Sequence, residues 1–326
     1  MKKILFICQK IGFQVNDAAH CGVGILANLT SSIVKKSIKH NFTQCFVDSQ
    51  HELDTLVQDH DPDVIIYSYH EGTTKWIRGQ DLHEKWPHIK HVMIHYDIHQ
   101  SMADNFHPNM FNGFSHIITD DITVKGNENI FVVPRSLPTD DPYASPVPHD
   151  PPIIGYQGFA FAHKGINKIV SAVQEEFDEA LIRLHMPSSY FVDPAGHRTA
   201  AQVEAVNRII CKPGIKVEVD TEFLSNEEIV KWLSKNDINC YFNDYLDGAG
   251  IASSPDYAFA ARKPIAITKS FQLRHLWNLQ PNIIHSPTNT LSQIMGYGVA
   301  PLVPVYEQNT HNALILAYEN IVDHIS

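Results

Sequence analysis

Lysine and glycine stand side by side at residues 164 and 165, where an apolar stretch, 158–162, runs straight into a helical pattern. Ile166, Ile169, Val170 and Val173 recur at i, i+3, i+4 and i+7, one face of a helix. A helix start offers unpaired N–H groups and the positive end of the peptide dipole. With Lys164 beside it, such a junction suits a phosphate. A turn glycine and a solvated lysine satisfy the same letters. The stretch DGAGIASSPDY, 247–257, has a similar double meaning. Gly248 and Gly250 let backbone approach a ligand, Ser253 or Ser254 can cap a helix, and Pro255 suits its first turn. A pyrophosphate could rest on those N–H groups, or Asp256 could simply complete a capped helix. Lys269 and Arg274 follow the strand-like PIAIT and offer a cation at a strand end, or ordinary solvated charge.

The first half carries weaker signals. Gly22 and Gly24 follow the first apolar run; a lone glycine pair often marks only a tight turn. A dinucleotide fingerprint would need a third glycine, but residue 27 is alanine and the stretch from Gln9 to Cys21 is too long for the usual turn. His95, Asp97 and His99 alternate just past a buried run, so that one cleft could receive all three as metal ligands, or as contacts to another ligand. A zinc site needs further ligands and support, so no metal is expected. His70 and Glu71 lie past the third strand-like run, at a carboxyl edge where they could face a ligand. The chain has 20 histidines, so each singly reads first as a packing or surface residue.

Composition narrows the class. The 326 residues suffice for two domains, and 44% hydrophobic content can bury real cores. A net charge of −11 opposes general nucleic-acid binding. The opening apolar run, 4–8, is too short for a signal peptide, and no stretch approaches a membrane span. The five cysteines are scattered without a CxxC. These features point to a soluble cytoplasmic protein; one small patch would still suffice for peripheral membrane contact.

The elements that must position these residues alternate. Strands are expected at 3–8, 42–47, 63–69, 91–96 and 116–120, with helices near 23–36, 51–58, 74–86 and 102–111. The runs are apolar throughout, as in parallel sheets covered on both faces. Seven prolines crowd 134–152, a stiff linker. Strands then recur at 153–159, 180–186, 215–219, 238–243 and 264–268, with helices near 165–176, 198–210, 226–236, 254–262 and 290–296. Ser225 and Glu228 form a capping-box pattern, and the tail from 311 reads as a packed amphipathic helix. Ligands of such sheets bind beyond the carboxyl ends of the strands.

On these segments the chain resembles the GT-B glycosyltransferases, most closely the retaining family 4. The stretch from Gly158 to Lys164-Gly165 is similar to the family's phosphate motif, whose lysine binds the donor diphosphate. CGVGILANL (21–29), IHYD (94–97), FVVPRSLP, LSNEEIVKWLSKNDINCYFN and DGAGIASSPDYAFAARKPIAIT fall in the family's order. The resemblance implies two Rossmann-like doubly wound domains facing across a cleft: an acceptor domain at 1–140, a nucleotide-sugar domain at 152–305, and a helix at 306–326 crossing back to the first. It implies a nucleotide-diphosphate sugar donor, an unidentified acceptor and no cofactor. Gly158, Lys164, Gly165, Gly248, Gly250, Ser253, Ser254 and Lys269 would hold the donor; His95 and Asp97 would be catalytic; Gly22, Gly24 and His70 would face sugar and acceptor. The family's arginine after the glycine is Phe159 here, and counting back from Pro264 puts Ala249 and Tyr257 at its two glutamate positions. A binding protein or partner subunit of the same fold without turnover is the alternative, followed by a transferase acting on a nucleic-acid base.

Overall fold

Strands that are apolar on both faces need cover on both faces, and the chain supplies it twice. A computed structural model describes residues 1–10, 22–70, 72, 74–78, 80–107, 113–139, 148–188 and 193–326. The chain divides into two units, Met1–Ser136 with Asn309–Ser326, and Leu137–Gln308. In order, the elements are β1 (Lys3–Gln9), α1 (Gly22–Val34), β2 (Asn41–Val47), α2 (Gln50–His60), β3 (Val64–Tyr69), α3 (Leu82–Lys85), β4 (Lys90–His95), α4 (Gln100–Asp104), β5 (His116–Thr119) and β6 (Ile130–Val132). There follow β7 (Ile153–Gln157), α5 (Ile166–Glu176), β8 (Ala180–His185), α6 (His197–Ile209), β9 (Ile215–Asp220), α7 (Asn226–Leu233), β10 (Ile238–Tyr241), α8 (Ser254–Ala260), β11 (Ile265–Ile267), α9 (Leu291–Gly296), α10 (Val303–Gln308) and α11 (His311–Ile325).

The first unit is a parallel sheet in the order β2-β1-β3-β4-β5-β6. Strand alternation divides its core. Ile4, Phe6 and Cys8 pack with Leu26 and Val34 of α1 and with Leu314, Tyr318 and Ile321 of α11. Leu5 and Ile7 pack the other way, with Leu53 and Val57 of α2. The second unit is a parallel sheet in the order β11-β10-β7-β8-β9. Both units are Rossmann-like, and each has a switch point where the strand order reverses, between β1 and β3 and between β7 and β10. Among the described residues no helix is long and apolar enough to cross a membrane.

Two expected helices come out shorter. The span 74–86 is a 3-10 turn, Lys75–Ile77, followed by α3, because Asp81 starts a new helix by accepting from Glu84 N. The span 102–111 holds only α4, which ends at Asp104; 108–112 lie outside the described residues, as do 11–21, Glu71 and 140–147 of the linker. The capping box at Ser225 and Glu228 is formed, and Thr290 with Gln293 makes a second.

His91 of β4 is buried, 3.0 Å from the Tyr67 hydroxyl and stacked on Trp86. Burial pushes its pKa down to about 4. The unfolded chain therefore takes up a proton that the folded chain refuses. Stability should fall by roughly 1 kcal/mol per pH unit as pH drops from about 6.5 towards 4. Urea unfolding at several pH values should show this slope, flattened in His91→Phe; an equal slope in the variant would remove His91 as its source.

Candidate functional site

The second unit's switch point gathers most of the residues singled out for phosphate. Chain leaves β7 at Gly158, whose N–H donates to the His185 carbonyl at the end of β8. A Cβ at Gly158 would lie 2.8 Å from the Tyr156 hydroxyl and 3.1 Å from Ser254 Oγ at the start of α8, so the β7 turn and the α8 start are in contact. A 3-10 turn, Ala162–Lys164, then leads to Gly165, left-handed with φ of 63°. A Cβ there would stand 1.9 Å from the Phe242 carbonyl oxygen, just past β10. Beside it Asp244 N–H donates to the His163 carbonyl at 2.7 Å, and Lys168 pairs with Asp244. The glycine is thus required by a backbone contact between the chain leaving β7 and the chain leaving β10. It seats the α5 N-terminus at the carboxyl edge of the sheet, with glycine as the N-cap residue and so no side-chain cap bond from that position.

Lys164 is half-buried at this junction. His163 stacks on Phe161 at 5.5 Å, and burial, helped by the neighbouring Lys164 charge, lowers its pKa despite Asp244. The imidazole therefore leaves Lys164 as the cation of the turn at neutral pH.

The loop 243–252 is held by every second residue of 268–274. Thr268 Oγ1 donates to the Asn243 carbonyl at 2.6 Å, and Ser270 Oγ to the Asp244 carbonyl at 2.8 Å. The Gln272 carbonyl accepts from Ala252 N–H, its side-chain oxygen from Asn243 Nδ2, and Arg274 donates to the Ala249 carbonyl at 3.0 Å. Arg274 is therefore buried structure, not solvated charge. Gly248 is left-handed on the exposed crest of this loop, and Gly250 is half-buried. Ser253 precedes α8 with no side-chain capping bond, so the expected serine cap is not made there. Lys269 is exposed, with its ammonium 5.5 Å from the Trp277 ring centre.

In the first unit, Gly22 and Gly24 occupy the first turn of α1 rather than a loop before it. His70 directly follows β3 and His95 ends β4, the neighbouring strand, so both stand at the carboxyl edge. Their Nδ1 atoms accept from Gly72 N–H at 3.0 Å and from Asp97 N–H at 3.2 Å. Asp97 is exposed, and among the described residues no three His, Cys, Asp or Glu side chains converge as a metal site. The same edge carries groups that sequence reasoning missed. Gln9 Nε2 donates to the Ser68 carbonyl across the switch point, Ser68 Oγ meets the Tyr96 hydroxyl at 3.1 Å, and Arg135 pairs with buried Asp120. Burial raises the Asp120 pKa against the pull of Arg135. No local pattern links residues 15 positions apart; only the strand order does.

No family model matches the chain, and no curated protein matches it in sequence. Solved structures match in fold. HepE from Anabaena, in complex with UDP and glucose, aligns with a TM-score of 0.64 at 11% identity, over 99% of this chain and 100% of that one. Sucrose-phosphate synthase from Thermosynechococcus elongatus aligns at 0.67 and 10% identity, over 100% and 99%. AviGT4, a glycosyltransferase involved in avilamycin A biosynthesis, aligns at 0.62 and 10% identity, over 99% and 97%. The chain shares with them the GT-B class of fold, two Rossmann-like units of parallel sheet and interleaved helices.

Proposed function

We propose that the protein is a glycosyltransferase that moves a sugar from a nucleotide-diphosphate sugar to an acceptor, with retention of anomeric configuration. The observation that carries the reading is the Lys164-Gly165 junction, fixed at the switch point of the second unit with the α5 start, N-capped by glycine, behind it. When the bond from the sugar to the diphosphate breaks, negative charge grows on the leaving oxygen. Lys164, the α5 N–H groups and the backbone of the 248–254 loop stabilise that charge in place. The acceptor oxygen forms the new bond to the same carbon, and its proton passes to the departing phosphate. His95 and Asp97, with His70, Gly22 and Gly24, are assigned to the transferred sugar and the acceptor. Resemblance to family 4 supports the retaining outcome. Ala249 and Tyr257, at that family's glutamate positions, favour one second reading, a binding protein without turnover.

Thermal shift against a panel of sugar nucleotides tests both readings, with uridine donors first because HepE holds UDP. A raised midpoint with one donor, and slow hydrolysis of that donor without acceptor, are expected. A shift without turnover selects the binding protein, and no shift with any donor rejects both.

A further inference from the structure

The second unit's sheet treats buried polar groups differently at its two edges. Towards the amino ends they satisfy one another. Arg183 donates to Asn236 Oδ1 at 2.7 Å, Asn236 Nδ2 to Asn239 Oδ1 at 2.7 Å, and Ile153 N–H to Asp237 Oδ2 at 2.8 Å. At the carboxyl ends of three neighbouring strands some do not. Gln157, His185 and Tyr241 are the last residues of β7, β8 and β10, three adjacent strands, and all are more than nine-tenths buried. Among the described residues, Gln157 Oε1, His185 Nδ1 and the Tyr241 hydroxyl each lack a hydrogen-bond partner. Buried polar atoms are ordinarily paired, so three exceptions along one edge call for a cause.

The chemistry of the three atoms is specific. His185 Nε2 lies 2.9 Å from the Glu222 carbonyl, which can only accept, so the ring proton sits on Nε2. Burial lowers the His185 pKa and keeps the ring neutral. Its Nδ1 is therefore an acceptor, as is Gln157 Oε1, and the two residues are register partners on neighbouring strands. Paired acceptors suit hydroxyl or N–H groups and repel phosphate oxygens. They also lie beside the phosphate-type junction, since Gly158 follows Gln157 and Phe242, whose carbonyl meets Gly165, follows Tyr241.

We propose that Gln157, His185 and Tyr241 are positioning residues of the donor site, completing their hydrogen bonds with hydroxyl or N–H groups of the bound sugar nucleotide, directly or through a water shared with it. The inference rests on the donor-site reading above. An atom kept for a ligand weakens the ligand-free protein, because a buried polar group without a partner is destabilising. Tyr241→Phe should therefore raise the unfolding midpoint of the free chain by about 3 °C and weaken UDP-glucose binding roughly three- to tenfold. Gln157→Leu should weaken binding to a similar degree. A purely structural hydroxyl gives the opposite pattern, a lower midpoint and unchanged affinity.

Calorimetric titration of UDP and of UDP-glucose into the full chain and both variants, with melting curves of the free proteins, decides the matter. Loss for both ligands places the contact on the nucleoside, and loss for UDP-glucose alone places it on the sugar; either supports the proposal. Wild-type binding with both variants unchanged, or a midpoint lowered by Tyr241→Phe, overturns it and leaves the donor-site reading intact. A wild-type chain that binds neither these ligands nor any other donor of the panel overturns both.

Discussion

Gly165→Ala is expected to unfold the second unit at temperatures the native chain tolerates. The added methyl would stand 1.9 Å from the Phe242 carbonyl oxygen, well inside any contact distance. Neither partner can turn away, because both are backbone, and Asp244 N–H to the His163 carbonyl fixes them from the other side. The left-handed φ of 63° adds a penalty of about 1 kcal/mol for any residue with a Cβ. Together these should cost about 4 kcal/mol or more, a drop of roughly 10 °C in the melting midpoint. Gly248→Ala is the control. Gly248 has a similar φ of 73°, but nothing lies within 4 Å of its Cβ position, so only the conformational part remains. A near-native midpoint for Gly248→Ala beside a large fall for Gly165→Ala is the expected pair of results. Equal, small falls would mean the β7 and β10 turns can move apart, and the junction would lose its claim to be built.

Lys164→Ala should leave folding nearly intact and reduce affinity for a nucleoside diphosphate roughly ten- to a hundredfold. A charge-assisted contact of a half-buried lysine to phosphate contributes about 1.5–3 kcal/mol. Alanine is at least as good a residue at a helix start, so the fold loses little. Lys164→Arg should restore part of the affinity, since a planar fork replaces a compact ammonium. Titration of UDP into wild type and the two variants reads this directly. Three equal affinities would make Lys164 a surface lysine and remove the phosphate from the junction.

Most of the framework was legible because it is local. Strands such as 64–69 announce themselves as apolar runs, and Ser225 with Glu228 marks a helix start within four residues. Lys164 and Gly165 were legible as a pair, but the reason for the glycine was not. It lies in Phe242, far along the chain, and only the β7–β10 neighbourhood brings that carbonyl close. Arg274 failed in the same way. An arginine after a strand reads as solvated, yet here it is buried against the Ala249 carbonyl. The segments at 271–276 and 300–305 follow no sustained apolar period and were not anticipated, and the helix expected over 306–326 is divided between α10, ending at Gln308, and α11, starting at His311. Asp120 and Arg135 carry no pattern at all, since a buried ion pair is defined by its surroundings rather than its spacing.

The hold of Thr268, Ser270, Gln272 and Arg274 on 243–252 also bears on how such a protein could be re-engineered. A loop whose carbonyls are bonded by residues beyond the next strand is not a self-contained cassette. Grafting 243–252 into a relative, or shuffling a homologous loop into this chain, would leave the hydroxyls, amide and guanidinium of 268–274 facing carbonyls in the wrong places. The heritable unit is the pair of segments with α8 and β11 between them, and recombination that keeps 243–274 whole should yield folded chimaeras far more often than exchange of the loop alone.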